Sequence, residues 1–170
     1  MSKDWSDTAS IKKSELINAP AEKVFAIAED ISNLPKYFAE FSSAARSGDS
    51  YQCAYDLRIV GIPLIELRAT LSARDVKKPT ALTYVIDGMA KGTVRWTLQE
   101  QGGGTLVSVD ISYQMSTKVF QDTLGILGGT AASILGGAVN TVAAIIAKAV
   151  AANEANVGRA LDNLKKLSEA

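Results

Sequence analysis

Across residues 41–115, apolar and polar residues alternate with a period of two, the mark of strands with one wet and one dry face. Tyr51, Cys53, Tyr55, Leu57 and Ile59 alternate with Gln52, Asp56 and Arg58, and Ile65, Leu67, Ala69 and Leu71 with Glu66, Arg68 and Thr70. Leu82, Tyr84 and Ile86 share a face, as do Val94, Trp96 and Leu98. Val107, Val109, Ile111, Tyr113 and Met115 oppose Ser108, Asp110, Ser112 and Gln114. Turn chemistry at Gly48-Asp49, Gly61-Ile62-Pro63, Lys78-Pro79, Gly88 to Gly92 and Gly102-Gly103-Gly104 cuts the segment into six strand-length stretches. Connections this short predict antiparallel neighbours.

Before this segment, residues 11–17 (IKKSELI) predict an edge-like first strand. A helix follows, with Asn18 as N-cap or turn residue and Pro20 at the first helical position, where its missing N–H is no loss. Val24, Phe25, Ile27 and Ala28 give it an apolar stripe, and a second short helix runs from Ile31 toward Phe38 with Pro35 in its first turn. Near the C-terminus, Val139, Val142, Ile146, Val150, Val157, Leu161 and Leu164 recur at helical spacing. They predict an amphipathic helix over about residues 138–167, roughly 45 Å long at 1.5 Å per residue. A sheet with one dry face must cover it, and this helix is the element left to do so. The fold class expected is therefore α+β: a seven-stranded curved antiparallel sheet, two short helices after the first strand, and a long C-terminal helix across the concave face. Residues 1–10 are expected to be a flexible lead and 11–170 a single domain, with 117–137 a Gly-rich insertion or lid.

Charge removes several function classes. Lys plus Arg and Asp plus Glu both total 18, so nothing draws the chain toward a phosphate backbone, and nucleic acid is not an expected partner. The chain has no histidine, which rules out a Ser/His/Asp or Cys/His relay and the usual imidazole ligands of zinc. The single cysteine, Cys53, makes no internal disulfide and reads as a small buried hydrophobe. No metal or cofactor is called for. A reducing cytoplasmic setting is the expectation, and the opening MSKDWSDTAS has no apolar stretch of the kind a signal peptide needs.

The order strand, two short helices, six strands and long final helix resembles the START-like superfamily with its helix-grip fold. That superfamily includes the major birch pollen allergen, lipid-transfer START domains and polyketide cyclase/dehydrase-type proteins. The phrases that carry the resemblance are Ile17-Asn18-Ala19-Pro20-Ala21-Glu22-Lys23-Val24-Phe25, Asp30-Ile31-Ser32-Asn33-Leu34-Pro35 and Leu161-Asp162-Asn163-Leu164-Lys165-Lys166. Gly61-Ile62-Pro63, Asp75-Val76-Lys77-Lys78-Pro79, Gly88 to Gly92 and Gly103-Gly104-Thr105-Leu106 look most like the carbon monoxide dehydrogenase G group. The resemblance implies a cavity between sheet and helix that holds lipids, polyketides or other apolar molecules. The chain departs from the pattern over residues 117–147, where more sequence precedes the final helix than most members carry.

The residues expected to bind a ligand are Tyr55, Leu57, Leu67, Leu71, Tyr84, Ile86, Trp96, Tyr113, Met115, Val142 and Ile146, with Ala69, Ala73 and Cys53 leaving space among them. No catalytic pair of carboxylates stands out. Glu66 with Arg68, and Asp110 with Arg95, read as surface partners. Gly158 interrupts the last helix at about 1 kcal/mol relative to Ala, which close packing against the sheet, or a cavity widened beside the ligand, would explain. Residues 123–147 carry no charge and include five glycines. As a membrane span their nine Leu, Ile and Val residues give only about −4 kcal/mol before the glycines, threonines, Ser133 and Asn140 oppose it. A short helix over about 119–127, a Gly-rich hinge and the start of the long helix is the expected arrangement, with buried or lid-like packing, and peripheral membrane contact as the alternative. The function expected is binding or transport of a hydrophobic small molecule such as a lipid, polyketide or isoprenoid. The alternatives are a cyclase/dehydratase-type enzyme, or an accessory protein for assembly or membrane recruitment of a larger enzyme, with a homo-oligomer or enzyme-complex partner.

Overall fold

The computed structural model describes residues 4–60, 62, 64–127 and 142–170. It runs β1 (Ala9–Ile17), α1 (Ala21–Glu29), a 3-10 turn (Ile31–Asn33), α2 (Leu34–Tyr37), β2 (Phe41–Ser47), β3 (Ser50–Leu57) and β4 (Ile65–Lys77). It continues with β5 (Ala81–Gly88), β6 (Ala90–Gln101), β7 (Gly104–Met115), α3 (Thr117–Leu127) and α4 (Val142–Glu169). The seven strands make one antiparallel sheet in the order β1-β7-β6-β5-β4-β3-β2. Curved around the long last helix, it is the α+β helix-grip arrangement that the alternation and the C-terminal stripe predict. Strands β2 to β7 pair in sequence, and β1 joins the far edge beside β7, with Ile11 opposite Ile111 and Ile17 opposite Thr105.

The period-two pattern sorts the side chains as expected. Leu82, Tyr84, Trp96, Leu98, Val107 and Val109 are buried, while Arg95, Thr97 and Asp110 are exposed. Glu66 pairs with Arg68 at 2.5 Å on the outer face. Arg95 and Asp110 face each other in register, but the ion pair of Asp110 goes to Lys12 on β1, at 3.8 Å. Exposed pairs of this kind contribute about 1 kcal/mol or less.

Several boundaries differ from expectation. The lead is held from Asp4 onward: Trp5 bridges Ser116, Ser6 N–H donates to the Met115 carbonyl at 2.9 Å, and the Ser6 hydroxyl accepts from Met115 N–H at 2.9 Å. It continues the sheet edge instead of hanging free, because β7 still has backbone groups to pair there. Pro20 occupies the N-cap of α1, not its first helical position. The Asp30 carboxylate caps the following turn by accepting from Ser32 N–H at 3.1 Å. Gly88 and Gly92 lie inside β5 and β6, which Met89 alone separates. Ala73 is exposed and leaves no interior space, because β4 runs past the edge of the core and residues 73–77 all face solvent.

Helix α4 buries Ile145, Ala149, Val157, Ala160, Leu161 and Leu164. At about 1.5–3 kcal/mol for each large apolar side chain, docking outweighs helix propensity in holding it. Polar ties fix the helical elbow to both layers: Thr105 Oγ1 donates to the Ala19 carbonyl at 2.7 Å, Tyr84 Oη donates to the Ala28 carbonyl, and Asn163 Nδ2 donates to the Tyr37 carbonyl at 3.1 Å. The expected hinge and lid fall largely on 128–141, outside the described residues. Among the described residues no helix is long and apolar enough to cross a membrane.

Gly158 does not pack closely on the sheet. A Cβ there would meet no atom within 4 Å, and Gly158 does not line the cavity described below. With neither reason to be glycine, Gly158→Ala should stabilise the protein by about 1 kcal/mol through helix propensity. Urea unfolding of the two proteins measures this, and a variant less stable than the wild type would contradict it.

Candidate functional site

Between the sheet and α4 the inward side chains leave a cavity of about 140 Å³. An apolar cavity of about 150 Å³ in another protein stays dry and accepts benzene, so the volume suits one six-membered ring or a short stretch of chain. Strand β3 contributes Cys53 and Tyr55, β4 Leu67, Ala69 and Leu71, and β5 Tyr84 and Ile86. Strand β6 contributes Val94 and Trp96, and β7 Val109, Ile111, Tyr113 and Met115, each set following from the strand's alternation. The opposite wall is Asn153, Val157, Ala160 and Leu161 of α4.

Eight of the eleven residues expected to bind a ligand are thus gathered at one cavity: Tyr55, Leu67, Leu71, Tyr84, Ile86, Trp96, Tyr113 and Met115. Leu57, Val142 and Ile146 are not at it. Leu57 is fully buried, but it sits at the end of β3 opposite Ile65, in packed core. Val142 and Ile146 pack against that core from the first turns of α4. Ile146 precedes Asn153 by seven residues, roughly 10 Å of helix rise, and the stripe holds at Val157, Leu161 and Leu164, whereas in the first turns Ile145 and Ala149 are buried and Val142, Ile146 and Val150 only half-buried.

Alternation did not single out Phe38 and Phe41, which wall the cavity beside Tyr55. The three rings meet edge to face at centroid distances of 4.9, 5.8 and 5.0 Å, a favourable arrangement of aromatic quadrupoles. Asn153 and Asn156 were also missed, though both are buried. The signal lay in the helical stripe: the step from Val150 to Val157 passes through position 153, where an apolar residue belongs and an asparagine stands.

These asparagines join two cavity tyrosines to the helix. Asn156 Nδ2 donates to Tyr55 Oη at 2.7 Å, Tyr55 Oη donates to Asn153 Oδ1 at 2.8 Å, and Asn153 Nδ2 donates to Tyr113 Oη at 3.1 Å. At the outer end, the Arg159 guanidinium donates to Asn156 Oδ1. Burial pushes the hydroxyls of Tyr55, Tyr84 and Tyr113 above the ordinary tyrosine range; the bond from Asn156 on Tyr55 and that from Asn153 on Tyr113 oppose it only in part. The Cys53 thiol is pushed up to about 11, again by burial. Every titratable group of the described lining is therefore neutral at pH 7. The lining offers an apolar surface with a few fixed dipoles, suited to holding a neutral molecule and poorly suited to abstracting a proton. Among the described residues no group of three or more His, Cys, Asp or Glu stands together to hold a metal.

No curated protein matches the chain in sequence. The fold is similar to that of the Zhui aromatase/cyclase from Streptomyces sp. R1128, with a TM-score of 0.63, 10% identity, and coverage of 96% of this chain and 94% of that one. It is also similar to TTHA0849 from Thermus thermophilus, with a TM-score of 0.60, 18% identity, and coverage of 93% and 95%. The di-domain aromatase/cyclase BexL of the BE-7585A biosynthetic pathway aligns with a TM-score of 0.62 at 20% identity over 96% of this chain, which spans 50% of BexL. At these identities the likeness is one of fold. The family model for polyketide cyclase/dehydrase and lipid transport matches residues 8–169, from just before β1 to the end of α4, and the chain belongs to that family.

Proposed function

We propose that the protein binds a neutral, largely apolar small molecule in the cavity between the sheet and α4, and that it carries or sequesters this molecule. The observation behind this reading is the cavity of about 140 Å³, walled by aliphatic and aromatic side chains whose titratable members are uncharged at pH 7. Burial of apolar ligand surface at about 25 cal/mol per Å² would drive association, with tyrosine and asparagine dipoles orienting the bound molecule. Family membership is compatible with cyclase chemistry as well. The described lining argues for the binding role, because its phenols and thiol are held protonated and none of its side chains is a carboxylate or an amine. In this reading the protein works in the cytoplasm and exchanges its ligand with a membrane or a partner enzyme.

Organic extraction and native mass spectrometry of the purified protein should yield a neutral apolar species. Ala69→Phe on the sheet and Ala160→Phe on the helix fill the space from opposite walls, and each should abolish its retention. A protein that retains nothing and whose amide NMR signals do not move on adding benzene or toluene would overturn the proposal.

A further inference from the structure

The chain of hydrogen bonds from Arg159 to Tyr113 has a fixed direction. A guanidinium can only donate, so Asn156 must turn its Oδ1 toward Arg159. Its Nδ2 is then the atom that meets Tyr55, and Tyr55 accepts there. The Tyr55 proton therefore goes to Asn153, which must offer Oδ1, leaving Nδ2 to donate to Tyr113. The directions of these bonds agree from one to the next, and together they leave the Tyr113 proton to be donated onward. No acceptor for it occurs among the described residues, and Tyr113 lines the cavity.

The other polar groups of the lining point to the same need. Tyr84 donates to the Ala28 carbonyl, and the Cys53 thiol makes a weak contact with the Tyr51 carbonyl at 3.9 Å. Trp96 Nε1 is a buried donor with no partner among the described residues. Tyr113 O–H and Trp96 N–H are thus lining donors with no acceptor among the described residues. Such groups cost stability when nothing receives them, and a chain of aligned dipoles headed by a cation strengthens the final donor.

We infer that the ligand carries an acceptor oxygen of the carbonyl type (ketone, aldehyde, ester or quinone), which receives the Tyr113 hydroxyl proton, and that Arg159, from outside the cavity, sets this preference by fixing the polarity of the relay. The inference rests on the binding reading above and narrows it to a chemical class. It also gives an exposed residue on α4 a role in recognition without contact.

The test compares cyclohexanone with its near-isosteric hydrocarbon, methylenecyclohexane, by NMR titration of the wild-type protein, Tyr113→Phe and Arg159→Glu. Glutamate at 159 accepts instead of donating; it reverses every bond of the relay and turns the Tyr113 proton back toward Asn153. Both variants should weaken cyclohexanone binding roughly three- to tenfold, the range of one hydrogen bond, and change methylenecyclohexane binding less than about twofold. The infrared carbonyl stretch of bound cyclohexanone should lie lower in the wild type than in either variant. If both probes bind the wild type and Arg159→Glu affects them equally, the relay inference falls while apolar binding stands. If neither probe binds the wild type, both fall.

Discussion

Replacing Gly92 with alanine is expected to destabilise the protein by about 4 kcal/mol or more, a loss at the extreme of single substitutions. Gly92 lies in β6 opposite Tyr113 of β7 and Ile86 of β5, with φ at +152°. A Cβ there would stand 2.0 Å from the Ser112 carbonyl oxygen and 2.7 Å from Tyr113 Cα. Both atoms are backbone in an interior strand of the sheet, so relief requires β6 and β7 to part, and Tyr113 would move with them. A comparison separates this clash from the ordinary cost of positive φ. Gly48 has φ of +64° in the β2–β3 turn, and a Cβ there would meet nothing within 4 Å. Gly48→Ala should cost only about 1–2 kcal/mol, the penalty of left-handed backbone for an L-residue. Urea unfolding of the two variants gives the ordering, and a Gly92→Ala protein as stable as Gly48→Ala would refute the steric account.

The same glycine shows where sequence reasoning stopped. Gly88 to Gly92 reads as a turn on composition alone, because glycine serves equally for a bend and for a place where two backbones approach closely. Only the register of β6 against β7 decides between them, since it sets Gly92 opposite Tyr113, and composition does not carry register. The strand faces were legible because period-two alternation is a local property that survives into the sheet, and the chemistry of the sheet wall came with them. Ala73 failed by the same logic: alternation tells which side a residue is on, not whether β4 still has core beneath it. The helical wall was half legible. The stripe located the buried face of α4 at Val157, Leu161 and Leu164 but ran beside it in the first turns, where Ile145 and Ala149 are the buried residues, and its register against the cavity is set by the sheet. Local spacing therefore promoted Val142 and Ile146 over Asn153 and Val157. The relay was visible only as an irregularity, an asparagine where the stripe called for an apolar residue.

That irregularity carries the second large effect. Asn153→Leu is expected to cost about 3 kcal/mol even though leucine restores the apolar stripe, because it leaves the Tyr55 proton without its acceptor and Tyr113 without its donor. On hydrophobicity alone the variant should be more stable, since a buried amide gives way to a side chain that gains about 1.5–3 kcal/mol on burial. The sign of the measured change thus decides which term dominates in this wall. A cycle with Tyr113→Phe separates the network from simple packing. In the wild type, removing the Tyr113 hydroxyl should cost about 1 kcal/mol; in the Asn153→Leu background the bond is already gone, and the same change should cost less than about 0.5 kcal/mol. Strict additivity of the two substitutions would mean that the hydroxyl and the amide act independently, and the relay would then be a set of contacts instead of a connected unit. Coupling would mean that the Tyr113 hydroxyl and the Asn153 amide stabilise the wall only together. It would also explain why α4 keeps two buried asparagines facing a cavity that is otherwise greasy.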